Sequence, residues 1–128
     1  MAISNQEAES TIAPFIAAYD HAFDNKQDEA VGNLYDPTSV LVQVGKGAIY
    51  GRDAIRAELK QFMDHMVPGT KTEASNKKYG GANGYIVYSA FFKMTLPTGE
   101  TSSGDFEQLW KKGADGKYLI VYDHFTLG

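Results

Sequence analysis

The chain has 128 residues, with 12 Lys plus Arg against 16 Asp plus Glu, so its net charge is −4. A hydrophobic fraction of 43% with 12% aromatics excludes a disordered chain, and the length is that of one domain, residues 1–128. The acidic balance excludes a nucleic-acid partner that needs a basic face, and the absence of cysteine excludes disulfides, thiolate zinc sites and a Cys nucleophile.

The opening Met-Ala-Ile-Ser-Asn-Gln-Glu has no basic and then apolar stretch, so it does not read as a signal peptide. The most apolar run, Tyr85 to Phe92, is broken by Ser89 and falls far short of the roughly 20 residues a bilayer requires. A cytoplasmic protein without a membrane partner is the expectation.

Ala8, Ile12, Phe15, Ile16, Tyr19, Ala22 and Phe23 recur at three- and four-residue steps, which predicts a first helix with one buried stripe. Ser4 followed by Glu7 suits a capping box at its entrance, while Pro14 predicts a kink near residues 10–13 or a regular part that begins there. A second helix is predicted from Asp28 to Tyr35, capped by Asp28, with Ala30, Val31, Leu34 and Tyr35 inward and Pro37 as its stop. The β-branched run Ser39–Val44 predicts a strand that ends at Gly45-Lys46-Gly47. A third helix spans about Arg52–Met66, with Ile55, Leu59, Phe62, Met63 and Met66 on one stripe and Pro68-Gly69 behind it. Segments 71–79, 84–95, 101–112 and 117–126 then read as strands joined by hairpin loops rich in glycine and proline. Helices followed by consecutive hairpins, α-α-β-α-β-β-β-β, predict an α+β fold. A curved antiparallel sheet would wrap the N-terminal helices as a cone, either packed shut or hollow.

Specific residues sit on this order: Gly47-x-x-x-Gly51-Arg52-Asp53-Ala54-Ile55 opens the third helix, Leu34-Tyr35-Asp36 leads into the first strand, and Asp123-His124-Phe125-Thr126 closes the chain after Gly116-Lys117-Tyr118. Together they resemble the SnoaL-like group of the nuclear-transport-factor-2-like superfamily over about residues 8–127. That superfamily hosts enzymes, binders and assembly modules, so the resemblance implies the cone and no single reaction. Ketosteroid isomerase, one member, offers a mechanistic comparison. The resemblance sets Tyr19 where that enzyme has its oxyanion-hole tyrosine, but about Val42 and Phe106 stand where it has its two carboxylates. Without them the steroid-isomerase proton shuttle has no carrier.

Each of the three histidines follows an aspartate, at Asp20-His21, Asp64-His65 and Asp123-His124. Neighbours in sequence diverge by about 100° on a helix and to opposite faces on a strand, so these are not orienter–base dyads. Nor does any His spacing suit zinc, so no metal and no cofactor is expected. Alternation along the last strand separates Leu119, Val121, Asp123, Phe125 and Leu127 from Tyr118, Ile120, Tyr122, His124 and Thr126. The first row is apolar except for Asp123, and the resemblance turns it inward. A lone carboxylate there must be paired, shifted in pKa or solvated by a cavity, unless it sits near enough to the strand end to reach water. On the preceding strand Phe106, Gln108 and Trp110 read as inward, which leaves Asp105 and Glu107 on a solvated outer face rather than as a catalytic pair. Ile86, Tyr88, Ala90, Phe92 and Met94 form an inner row, and the opposite row of Tyr85, Val87, Ser89, Phe91 and Lys93 is too apolar for open water. That outer face predicts a homodimer, in keeping with the resemblance.

Gly45-x-Gly47 and Gly80-Gly81 lack the spacing of a phosphate cradle, and Arg52 and Arg56 suit either an anion or a local salt bridge. Two functions stay open. In the first, a small apolar ligand fills the cone between walls of Phe15, Phe23, Phe106, Trp110 and Phe125, with Tyr19, Gln108 and Asp123 as polar contacts. Catalysis would then be cofactor-free isomerisation, dehydration or cyclisation, with Asp123 as acid or base and Tyr19 as hydrogen-bond donor. In the second, the chain's 7 Phe, 8 Tyr and 1 Trp fill the cone themselves and the protein is a binding or assembly module without catalysis.

Overall fold

Strand β1 (Ala2–Ile3) leads into helix α1 (Asn5–Asp24) in the computed structural model, which describes residues 2–127. Met1 and Gly128, the ends of the expected domain, lie outside the described residues. Ser4 caps α1 by accepting the Glu7 N–H at 3.1 Å. The helix runs on through Pro14 as one element, not as a segment that begins beyond residues 10–13. Its predicted stripe faces the core: Ala8, Ile12 and Ala22 are buried, and Phe15, Ile16, Tyr19 and Phe23 pack against them.

Helix α2 (Asp28–Gly32) is shorter than predicted. Asp28 does not cap it; the residue before the helix is Gln27, and Asp28 instead pairs with Arg56 at 2.8 Å. The chain turns extended at once into β2 (Tyr35–Gln43), so Tyr35 belongs to a strand rather than to a helix face. Pro37 holds Asp36 extended, and Tyr35 before it pairs with Ile120 of the last strand. Gly45-Lys46-Gly47 proves to be a hairpin turn into β3 (Gly47–Tyr50), a strand the sequence reading left out. Helix α3 (Arg52–Asp64) buries Ile55, Leu59 and Met63 as predicted. Strands β4 (Lys71–Ala82), β5 (Tyr85–Thr95), β6 (Thr101–Lys112) and β7 (Tyr118–Phe125) complete the chain.

The sheet is curved and unclosed, in the order β1-β4-β5-β6-β7-β2-β3, and its pairs are antiparallel except for the parallel β2–β7 pair. Helices α1 and α3 lie on its concave face, giving the α+β cone. One end of the cone is packed solid. There Ile12, Ile86, Trp110, Ile120 and Tyr118 are buried, and Phe15 sits 6.4 Å from Trp110 and 5.7 Å from Tyr118 between ring centroids.

In β7 the predicted alternation breaks at one point. Leu109 pairs with Tyr122 and Trp110 with Ile120, so Val121 is an extra residue, a β-bulge. Before the bulge Tyr118 and Ile120 point inward, contrary to the predicted rows, and Leu119 and Val121 fall outside them; after it Asp123 and Phe125 point inward as predicted. The bulge therefore lets β7 seal the packed end with Ile120 and still send Asp123 into the cone.

Candidate functional site

Toward its wide end the cone is hollow, with a cavity of about 530 Å³. Tyr19 and Phe23 of α1, Leu59 and Phe62 of α3, and Leu41, Phe92, Phe106 and Phe125 of the sheet form its walls. Gln108 and Asp123 are also in the lining, and the exposed Lys46 and Glu58 belong to its border. Of the eight residues singled out from the sequence, the structure gathers Tyr19, Phe23, Phe106, Gln108, Asp123 and Phe125 around this space. Phe15 and Trp110 are not in the lining, because they pack against each other in the closed end.

Asp123 is 4% exposed. Pairing across the sheet sets it beside Gln108 on β6 and Leu41 on β2. Its Oδ2 accepts the Tyr35 hydroxyl at 2.6 Å and the Gln108 amide at a long 3.4 Å. The indole N–H of Trp110 donates to Gln108 Oε1 at 3.2 Å. Since an indole can only donate, Trp110 fixes which end of the amide is oxygen and turns Nε2 toward Asp123. Tyr35 and Tyr19 share a hydrogen bond of 3.1 Å. A phenol has one proton, and Tyr35 gives its own to the ionised Asp123, so the proton in this second bond comes from Tyr19.

Four side chains from three elements thus point their donors, directly or through a neighbour, at one oxygen. Asp123 Oδ1 takes no hydrogen bond among the described residues, and Asp123 belongs to the cavity lining, which leaves this oxygen as the one for a ligand. Burial pushes the Asp123 pKa up to about 7, with the Tyr35 and Gln108 hydrogen bonds opposing that rise. The phenols of Tyr19 and Tyr35 are driven well above their ordinary range, first by burial and then by the Asp123 charge, so both stay protonated.

Tyr35 is the site residue that sequence reasoning missed as such. Pro37 two residues on was the available signal that it starts a strand. Its carbonyl accepts the Arg52 Nε–H at 2.8 Å, so this arginine, opening α3 after Gly51, ties down the start of β2. Arg56 is occupied by Asp28. No group of three or more His, Cys, Asp or Glu side chains that could hold a metal occurs among the described residues, and there no helix is long and apolar enough to cross a membrane.

No family profile and no curated protein matches this chain. Solved structures do. An NTF2-like protein of unknown function from Pseudomonas putida KT2440 superposes with a TM-score of 0.84 at 14% identity, covering 94% of this chain and 87% of that one. An uncharacterised protein with a cystatin-like fold from Caulobacter vibrioides gives 0.80 at 19% identity over 95% and 90% of the two chains. A ketosteroid isomerase-like protein from Erwinia carotovora atroseptica SCRI1043 gives 0.76 at 18% identity over 94% and 96%. At these identities the likeness is one of architecture, and the chain has the NTF2-like fold.

Proposed function

We propose that this protein binds a small, largely apolar ligand in the cone and that Asp123 exchanges a proton with it. The observation that carries the reading is a single carboxyl group on an aromatic-walled cavity of about 530 Å³, with one oxygen held by donors and the other open. A site of that volume, mostly apolar with a few convergent polar groups, suits a small organic molecule. A carboxyl group whose pKa is pushed up to about 7 can serve as either acid or base near neutrality. Cofactor-free isomerisation, dehydration or cyclisation is the reaction class that such a group supports. Tyr19 serves through its oxygen and by holding Tyr35, since its own proton is engaged. Phe23, Phe106 and Phe125 act as walls, while Phe15 and Trp110 act from beneath as support.

The test is a titration with apolar bicyclic compounds followed by the fluorescence of Trp110, whose indole is bonded to the Gln108 amide at the cavity. Saturable change in the wild type, with turnover lost in Asp123→Asn, is the expected result. Silence across the compounds would overturn the binding reading, and turnover undiminished in Asp123→Asn would overturn the proton-transfer role.

A second reading, the assembly module, is favoured by the convex face of the sheet. Val87, Leu109 and Tyr122 stand in one cross-strand row there, with Phe91 on the same face of β5. We propose this face as a homodimer interface. It lies on the opposite side of the sheet from the cavity, so the two readings do not compete.

A further inference from the structure

We infer that the ligand of this cavity carries a cationic amine, seated on the open Oδ1 of Asp123 between aromatic faces. This rests on the reading of the cavity as a ligand site and narrows it to a chemical class. The argument is a count of protons. Trp110 donates to Gln108, Gln108 and Tyr35 donate to Asp123 Oδ2, and Tyr19 donates to Tyr35. With the aspartate ionised, every donor in this network is spent on another member of it except the second N–H of the Gln108 amide. What remains for a ligand at the polar end is that one amide N–H against two acceptors, a carboxylate oxygen and the lone pairs of the Tyr19 hydroxyl. A carbonyl compound would meet one neutral donor beside a carboxylate, whereas an ammonium group would meet two acceptors, one of them charged.

The walls add to this preference. Tyr19 and Phe23 stack at 6.1 Å between centroids, and Phe62, Phe106 and Phe125 belong to the same lining. Faces of that kind attract a cation. Other charged groups are few around the carboxylate: from α1 the exposed Asp20 follows Tyr19, while β2 and β6 contribute the uncharged Tyr35 and Gln108. The β2–β3 turn and α3 bring Lys46 and Glu58, one of each sign, to the border of the cavity. Burial, the main cause that lifts the Asp123 pKa to about 7, is a penalty that a bound ammonium would offset.

Aminotetralin, tetralone and tetralin share one bicyclic skeleton and serve as probes in calorimetric titrations of the full chain. At about pH 8 the amine should bind about tenfold or more tightly than the ketone, the scale of a hydrogen bond to a charged group. Its affinity should fall as pH drops through about 7, where Asp123 takes up a proton, and binding below that point should release a proton to the buffer. Asp123→Asn should bring amine and ketone affinities at about pH 8 to within about twofold of each other. Ketone binding as tight as amine binding at about pH 8, or amine affinity that rises on acidification, overturns the amine assignment and leaves the cavity reading standing. Failure of all three probes overturns both. The pH course in the wild type decides the matter even if the variant does not fold.

Discussion

Asp123 is a group whose folded pKa, about 7, lies above its ordinary 3.8, chiefly because it is buried. Between those values the native state binds more protons than the unfolded chain, so stability falls as pH rises across the window and levels off above it. About three units correspond to up to about 4 kcal/mol lost by alkaline pH, at 1.4 kcal/mol per unit. Asp123→Asn removes the charge and keeps an oxygen for the Tyr35 hydroxyl. Thermal unfolding should therefore show the variant more stable than wild type at about pH 8, with the difference gone near pH 4. A variant less stable at the alkaline end would mean that its partners outweigh the burial penalty. Tyr35→Phe acts in the opposite sense. Losing the 2.6 Å donor should raise the Asp123 pKa further, readable in a carboxyl NMR titration, and lower stability at alkaline pH by about 1–3 kcal/mol.

Among the elements, helices and long strands were legible because their apolar periods are regular, and the site was legible where it rides on them. Tyr19, Phe23, Phe106 and Gln108 come from one helix stripe and one unbroken strand. Phe15 belongs to the same stripe as Tyr19, and Trp110 to the same row as Gln108. Periodicity gives the face of a residue but not its depth along the cone, so it could not tell the packed end from the hollow one. Tyr35 and the Val121 bulge were missed for another reason: each marks a break in period, at α2–β2 and within β7, where pattern carries no information. The C-terminal end of β7 depends on a further local feature. A Cβ on Gly104 would clash with the Thr126 carbonyl oxygen, a backbone atom that cannot swing aside. Gly104 is where the chain end crosses β6, next to the hydrogen bonds between Asp105 and Thr126 at 2.8 and 2.9 Å. Gly104→Ala should cost about 2–4 kcal/mol in denaturant unfolding. It should also weaken ligand binding, because Phe125 and Leu127 line the cavity on either side of Thr126. Thr126→Val, which removes only the hydroxyl bond, should cost about 1 kcal/mol and leave binding unchanged.

At the scale of the whole molecule, the sheet separates two faces with different demands. The concave face is used up by α1, α3 and the cavity, while the convex face of β5, β6 and β7 carries Val87, Leu109 and Tyr122 with Tyr122 37% exposed. This apolar row crosses three neighbouring strands of the sheet, the kind of exposed patch that marks a subunit contact. The wild type should therefore sediment as a dimer at micromolar concentration. Leu109 lies at the centre of the apolar row, between Val87 on β5 and Tyr122 on β7. Leu109→Asp would set a charge against its own symmetry mate at a two-fold interface, where burying an unpaired carboxylate costs several kcal/mol. The expected outcome is a monomer that keeps the wild-type fold by circular dichroism. Its affinity for cavity ligands should be unchanged, because residue 109 points away from Gln108 and Trp110 on either side of it. A wild-type monomer in the same sedimentation run would remove the interface, and a variant that loses ligand along with its partner would show that the two faces are coupled through β6.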